Sequence, residues 1–198
     1  MDAQVSSVLS NLSKIQELCV LLVENVSSFE VANSKALPFG LKPHTRSVSW
    51  LVEQVLVQRF KLDADQMGIG EVNYDLPDTS LHDLTIKIGN DVLNINLKAH
   101  QSEKKPNKND ISAVEKLYNA YVQDDSYNLY YAAFGIKFSE RSVVFLKDSV
   151  HCFSPQFLPI YVNPRNDKIQ AFYHHEPIVR SRRDFLGELS VASRSIQL

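Results

Sequence analysis

One stretch constrains the fold of this chain more than any other: His82-Asp83-Leu84-Thr85-Ile86-Lys87-Ile88-Gly89-Asn90-Asp91-Val92-Leu93-Asn94-Ile95-Asn96-Leu97-Lys98. Leu84, Ile86 and Ile88 share one face of a first strand, Gly-Asn-Asp reverses the chain, and Leu93, Ile95 and Leu97 then alternate with Asn94, Asn96 and Lys98. A period of two on both sides of a short turn predicts a β-hairpin whose return strand has one polar face. With the turn centred on Asn90, Asp83 pairs near Leu97, between Asn96 and Lys98. Two adjacent antiparallel strands can present one side chain each a few ångströms apart, so Asp83, Asn96 and Lys98 can converge.

The rest of the chain alternates helical and extended patterns. Residues 4–30 repeat apolar positions at helical spacing (Val5, Val8, Leu9, Leu12, Ile15, Leu18, Leu22, Val26), predicting a long amphipathic helix or a helical pair. Its apolar stripe is read as core packing, with a dimer contact as the alternative. Ala36–His44 is a loop. A helix is expected over Thr45–Lys61, with Thr45 as N-cap and Val48, Leu51, Val52, Val55 and Leu56 buried. Arg46, Trp50, Glu53 and Val57 fall together on an adjacent face. Met67–Ser80 is rich in turn residues. After the hairpin, Gln101–Asp110 reads as a polar loop, followed by a helix from about Asp110 to Gln123 capped by Asp110 or Ser112. Strands are expected at Leu129–Phe138, Ser142–Leu146, Phe157–Val162 and Lys168–Tyr173. A short helix should run from Ser181 to about Leu189, and the tail 190–198 frays or docks on a partner. Helices before, within and after a meandering sheet predict a mixed α/β fold. A length of 198 residues is most simply one domain, 1–198, with an N-terminal helical segment (1–35) and a core over 45–190.

Composition narrows the class. The 44% hydrophobic and 22% charged fractions are those of an ordinary globular protein. No apolar run approaches the roughly 18 residues of a membrane span, and Asp2 with no basic stretch behind it does not read as a signal peptide. Cys19 and Cys152 lack metal-ligand spacing and read as buried thiols in a reducing, cytoplasmic setting. A net charge of −2 with a pI near 6.3 counts against a generic nucleic-acid coat protein. It is compatible with acidic groups at a metal and cations gathered on one face, as in the clusters Lys98, Lys104, Lys105, Lys108 and Arg180, Arg182, Arg183.

The order acidic residue, apolar strand, turn, Asn-x-Lys resembles the metal-binding core of the PD-(D/E)xK nucleases, with Asn96 where a second carboxylate usually stands. The helix and sheet-completing strands that should follow fit that superfamily, and Glu53 on the earlier helix is placed to assist. Pro106-Asn107-Lys108-Asn109-Asp110-Ile111-Ser112-Ala113 and Arg180-Ser181-Arg182-Arg183-Asp184-Phe185-Leu186 are similar to phrases of type II restriction endonucleases, the HincII-like enzymes among them. The resemblance implies a restriction-endonuclease-like α/β core that hydrolyses phosphodiesters of double-stranded DNA with Mg²⁺, as a homodimer, the N-terminal helix supplying part of the interface.

It also implies roles. Asp83 would bind the metal, Asn96 would give a carbonyl ligand or a hydrogen bond, Lys98 would act on water and phosphate, and Glu53 would assist. A neutral amide at Asn96 cancels none of the cation's charge, so Glu53 or another acid must do so, or metal affinity is low, or the chain is inactive. Asp75 and Asp78 are further acids. Pro77-Asp78 spells the motif's first two letters, but Asp83 is preferred as ligand. Lys104, Lys105, Asn107, Lys108 and Asn109 are the expected DNA contacts beyond Lys98, with Arg182 and Arg183 as phosphate contacts or ion-pair partners. His82 should face away from Asp83, and His100 shares the face of Lys98. His174-His175-Glu176 is a poor zinc site because neighbouring strand residues point to opposite faces. No Gly-rich phosphate loop or dinucleotide fingerprint is present, and no small-molecule substrate is implied. The rivals are a repair or mobile-element nuclease of the same superfamily, and a DNA-binding or assembly protein that kept the fold without the chemistry.

Overall fold

The computed structural model describes the backbone of residues 2–40, 45–77, 79–103, 108–173 and 175–196, and their side chains apart from those of residues 45–47 and 194–196. Its centre is the strand pair that the hairpin nucleates: β3 (Leu84–Ile88) and β4 (Asp91–Gln101). Beside β4 lies β6 (Leu129–Ser139), then β7 (Ser142–Phe153) and the short β1 (Ser28–Glu30); on the other edge β2 (Glu71–Asn73) pairs with β3. The order is β1-β7-β6-β4-β3-β2, with β4 and β6 parallel and every other pair antiparallel. A parallel pair cannot be joined by a tight turn. The β4–β6 connection accordingly carries β5 (Lys108–Ala113) and α3 (Val114–Gln123). β5 belongs to a second sheet of order β5-β9-β8, with β8 at Tyr161–Asn163 and β9 at Lys168–Phe172.

Residues 129–136 of β6 are all buried, as expected of a strand covered on both faces. Alternation divides them between two clusters. Tyr130, Ala132 and Phe134 join Leu93, Ile95 and Leu97 under α1 (Ala3–Asn25) and α2 (Thr45–Leu62). Leu129 and Tyr131 meet α3 and α4 (Arg182–Ile196) through Leu117, Tyr121, Phe185 and Leu189. This is the mixed α/β architecture expected, a sheet with helices on both faces. The side of α1 bearing Val5, Val8, Ile15, Leu18 and Leu22 is core, packed on β7 and β6.

Several local expectations are corrected. The stretch read as loop and helix N-terminus, 108–113, is strand β5, and α3 begins at Val114 behind Ala113, which makes no side-chain cap bond. Asp110 is not a cap because the turn between β8 and β9 supplies it with better partners. It accepts from Asn166 Nδ2 at 2.7 Å, Gln170 Nε2 at 2.8 Å and Asn163 Nδ2 at 3.2 Å. The helix read to residue 30 stops at Asn25, and 28–30 becomes an edge strand on β7. Instead of a strand from Phe157, a 3₁₀ turn forms at Pro155–Phe157, capped by Ser154. The last helix runs past Leu189 to Ile196, because Leu189 and Ala192 pack on the second cluster. On α2, Val57 is buried while Leu51 and Val55 are only partly so. Cys19 is buried and Cys152 half-buried; both are free thiols. Among the described residues no helix is long and apolar enough to cross a membrane.

Candidate active site on the central hairpin

The hairpin turns at Gly89-Asn90, with Ile88 paired to Asp91. Gly89 has φ +59°, the conformation that the first central residue of a two-residue hairpin turn favours and that glycine adopts at least cost. The ladder is therefore one residue out of the expected register, with Leu84 opposite Ile95. A slip of one moves side chains between faces. Here it matters at Asp83, whose backbone N–H donates to Ile95 O at 2.9 Å, so Asp83 and Leu84 both sit opposite Ile95. This departure from the ladder just before β3 swings the Asp83 carboxylate across β4, where Oδ2 accepts from the Leu97 N–H at 2.6 Å. Leu84, Ile86, Leu93, Ile95 and Leu97 keep the opposite, wholly buried face.

On the polar face of β4, Asn96 lies beside Tyr131 of β6 and Lys98 beside Ala133. Asn96 is buried, its Nδ2 donating to Leu81 O at 2.9 Å; its Oδ1 is buried with no partner among the described residues. The Lys98 ammonium donates to Leu97 O at 3.0 Å and stands 6.0 Å from the centre of the Tyr131 ring. Among the described residues it forms no ion pair. Burial raises the Asp83 carboxyl above its ordinary range, against the opposing pull of Lys98 and the Leu97 N–H. Burial also raises Glu53, helped by repulsion from Asp83 and opposed by Lys98. Glu53, Asp83 and Lys98 are thus within electrostatic reach of one another although they come from a helix, a loop end and a strand.

The donor set fits a hard divalent cation that keeps part of its water shell. Asp83 and Glu53 offer carboxylates whose charged forms Lys98 and the Leu97 N–H compensate only in part, and Asn96 Oδ1, without a partner among the described residues, offers a neutral oxygen. Mg²⁺ is commonly held by one or two carboxylates together with water and substrate phosphate, rather than by an all-protein cage. Among the described residues no group of three His, Cys, Asp or Glu side chains could hold a metal by itself.

A cleft of about 300 Å³ opens beside this group, between α2 and the segment leading into the hairpin. Glu53, Gln54, Tyr74, Ser80, His82 and Asp83 border it. His82 therefore does not face away from Asp83: both precede the regular strand, where strict alternation no longer applies. Its Nδ1 lies 3.2 Å from Ser80 Oγ and 3.3 Å from Tyr127 Oη. Asp75, next to Tyr74, has its N–H bonded to Asn73 Oδ1. The roles of Leu81 O, Tyr127 and Gln54 had no sequence signal, because each depends on a chain crossing far from its neighbours in sequence.

The remaining expected residues scatter. Lys108 donates to Gln170 Oε1 at 3.3 Å and sits 5.1 Å over the Phe172 ring, on the second sheet, and Asn109 is paired with Ala171. Arg183 is exposed on α4. Arg182 is buried and donates to the carbonyls of Tyr121, Asp124 and Tyr127, capping the end of α3. Its guanidinium is thereby taken up inside the protein, not offered to a phosphate. Through Tyr127 it steadies the residue that contacts His82. Arg180 likewise donates to Gln156 O, Leu158 O and Glu188. His100 is buried against His151 and Tyr173, with ring centres 5.7 and 4.8 Å away. Lys104, Lys105, Asn107, Asp78 and His174 lie outside the described residues.

No protein-family model and no curated protein matches the chain. Among solved structures it is similar to "NlaIV restriction endonuclease", with a TM-score of 0.53 and 12% identity over 79% of this chain and 73% of that one. At that identity the likeness shows the fold, which is restriction-endonuclease-like.

Proposed function

We propose that this protein is a Mg²⁺-dependent endonuclease that cuts double-stranded DNA at specific sites, a type II restriction enzyme acting as a homodimer. The observation that carries the reading is the convergence of Asp83, Asn96 and Lys98 on the hairpin with Glu53 beside them. Asp83, Glu53 and the Asn96 carbonyl would hold the ion, which would supply a charge sink for the phosphorane-like transition state and a more acidic water. Lys98, which forms no ion pair among the described residues, would stabilise charge building on the phosphate and orient the attacking water. Asp83 is held in place by the Leu97 N–H, and Asn96 by Leu81 O, so neither must reorganise when substrate arrives. Lys108, Asn109 and Arg183, together with Lys104, Lys105 and Asn107, are the proposed DNA contacts outside the centre. A restriction-endonuclease-like fold supports the reading.

Digestion of a long mixed-sequence DNA tests it. Discrete fragments that require Mg²⁺, vanish with EDTA and are lost in Lys98→Ala and Asp83→Ala are expected. A smear would point instead to a repair or mobile-element nuclease. Intact DNA with Mg²⁺ and with Mn²⁺, across several genomic DNAs, would sink the catalytic reading. A second reading then stands on the neutral amide at Asn96: a DNA-binding or assembly protein that retains the fold without cutting.

A further inference from the structure

We propose that the cleft beside the hairpin receives an unstacked nucleobase of the bound DNA, with Trp50, one helical turn from its lining, as the stacking surface; this rests on the nuclease reading above. Trp50 is the single tryptophan of the chain and is 68% exposed, on a helix whose other large apolar residues are mostly covered. It lies one helical turn before Glu53 and Gln54, so their β-carbons are about 5–6 Å from its own on the same side of α2. Glu53 and Gln54 both border the cleft, and Glu53 is shared with the hairpin site. Across the cleft, Tyr74 is 41% exposed, with the Lys61 ammonium 5.1 Å from its ring centre.

Three properties select the occupant. The cleft volume lies at the low end of small-ligand sites, enough for a flat ring but not for a strand of backbone. The lining offers a Gln54 amide, the His82 imidazole and the Ser80 hydroxyl, which suit the donor and acceptor edge of a base. The exposed Trp50 indole, one helical turn from Glu53 and Gln54 of that lining, supplies what every base shares, a π face.

Because Trp50 is the sole tryptophan, its emission reports on this position alone. The full-length protein is titrated with a fluorescein-labelled mixed-sequence oligonucleotide, single-stranded and duplex, with Ca²⁺ to hold cleavage back. Anisotropy follows binding, and acrylamide, an uncharged quencher, probes indole access. Stacking predicts a fall in Trp50 emission and protection from acrylamide at saturation. Trp50→Ala should weaken binding by roughly tenfold, Trp50→Phe by much less, and an abasic oligonucleotide of the same charge should bind wild type and Trp50→Ala alike. The side chain is exposed, so neither substitution removes core packing. Unchanged acrylamide access at saturation, or equal binding of the base-bearing oligonucleotide by wild type and Trp50→Ala, overturns the proposal. Protection that appears without DNA as protein concentration rises also overturns it, by assigning Trp50 to contact with a second copy. Absence of oligonucleotide binding would sink the nuclease reading together with this one, whereas cleavage with a silent Trp50 sinks this one alone.

Discussion

Replacing the Asn96 amide by a carboxylate probes the least expected feature of the site. Asn96→Asp is nearly isosteric, so packing beside Tyr131 is preserved and only hydrogen bonding and charge change. Asn96 is 9% exposed, and its Nδ2 is the donor to Leu81 O. A carboxylate there turns that contact into two acceptors facing each other, worth about 1–3 kcal/mol of lost stability for a buried group left unpaired. The nearby Asp83 carboxylate adds repulsion. The total has a ceiling: the introduced carboxyl can take a proton and donate to Leu81 O, which at neutral pH costs a group of ordinary pKa about 4 kcal/mol. The expected deficit is therefore roughly 2–4 kcal/mol in EDTA. The sign with pH follows, because a carboxyl whose folded-state pKa is raised costs stability above that value and regains it as pH falls through it. The deficit should be largest at neutral pH and shrink in mild acid. Mg²⁺ should shrink it too, by stabilising the variant more than the wild type. Urea unfolding followed by circular dichroism, with EDTA or Mg²⁺ at neutral and mildly acidic pH, measures all four cases. A variant as stable as wild type in EDTA at neutral pH, and indifferent to Mg²⁺, would refute both the Leu81 contact and the cation site.

Burial, with the neighbouring His151 adding to it, pushes the His100 imidazole down to about 4, so the folded state prefers it neutral. Its stability contribution is complete above the ordinary histidine value and is lost as pH falls toward 4, by about 3 kcal/mol; His100→Leu should flatten that part of the pH–stability curve. A β-carbon at Gly135 would lie 2.2 Å from Ser149 Cβ, where β6 and β7 lose register. Gly135→Ala should therefore cost about 1–3 kcal/mol by thermal melting, partly recovered by adding Ser149→Gly. Arg182→Ala strips the end of α3 of its cap and should cost about 3 kcal/mol or more, and Arg182→Lys should not restore it, because one ammonium cannot reach three carbonyls in the guanidinium's geometry. The salt dependence of DNA binding should be unchanged in any Arg182 variant that still folds, since its charge is spent inside the protein.

The features legible in the sequence were those governed by neighbours along the chain. Alternation drew β3 and β4, helical spacing drew α1 and α2, and Asn96 and Lys98 had to share a face because they are two apart on one strand. The same rule put Trp50 one turn from Glu53. What only the tertiary structure decided lies where distant segments compete for the same groups. The register depended on a turn centred between Gly89 and Asn90 rather than on Asn90, and on Asp83 leaving the ladder to reach the Leu97 N–H. Residues 108–113 became a strand because β9 lay ready to pair with them, and Asp110 abandoned a capping role for three amides contributed by residues 163–170. Arg182, a surface cation by composition, was drawn inward by the unpaired carbonyls at the end of α3. Local periodicity states which face a residue occupies; it does not carry the identity of the group that will face it, because that partner is set by the crossing of chains whose separation in sequence is large.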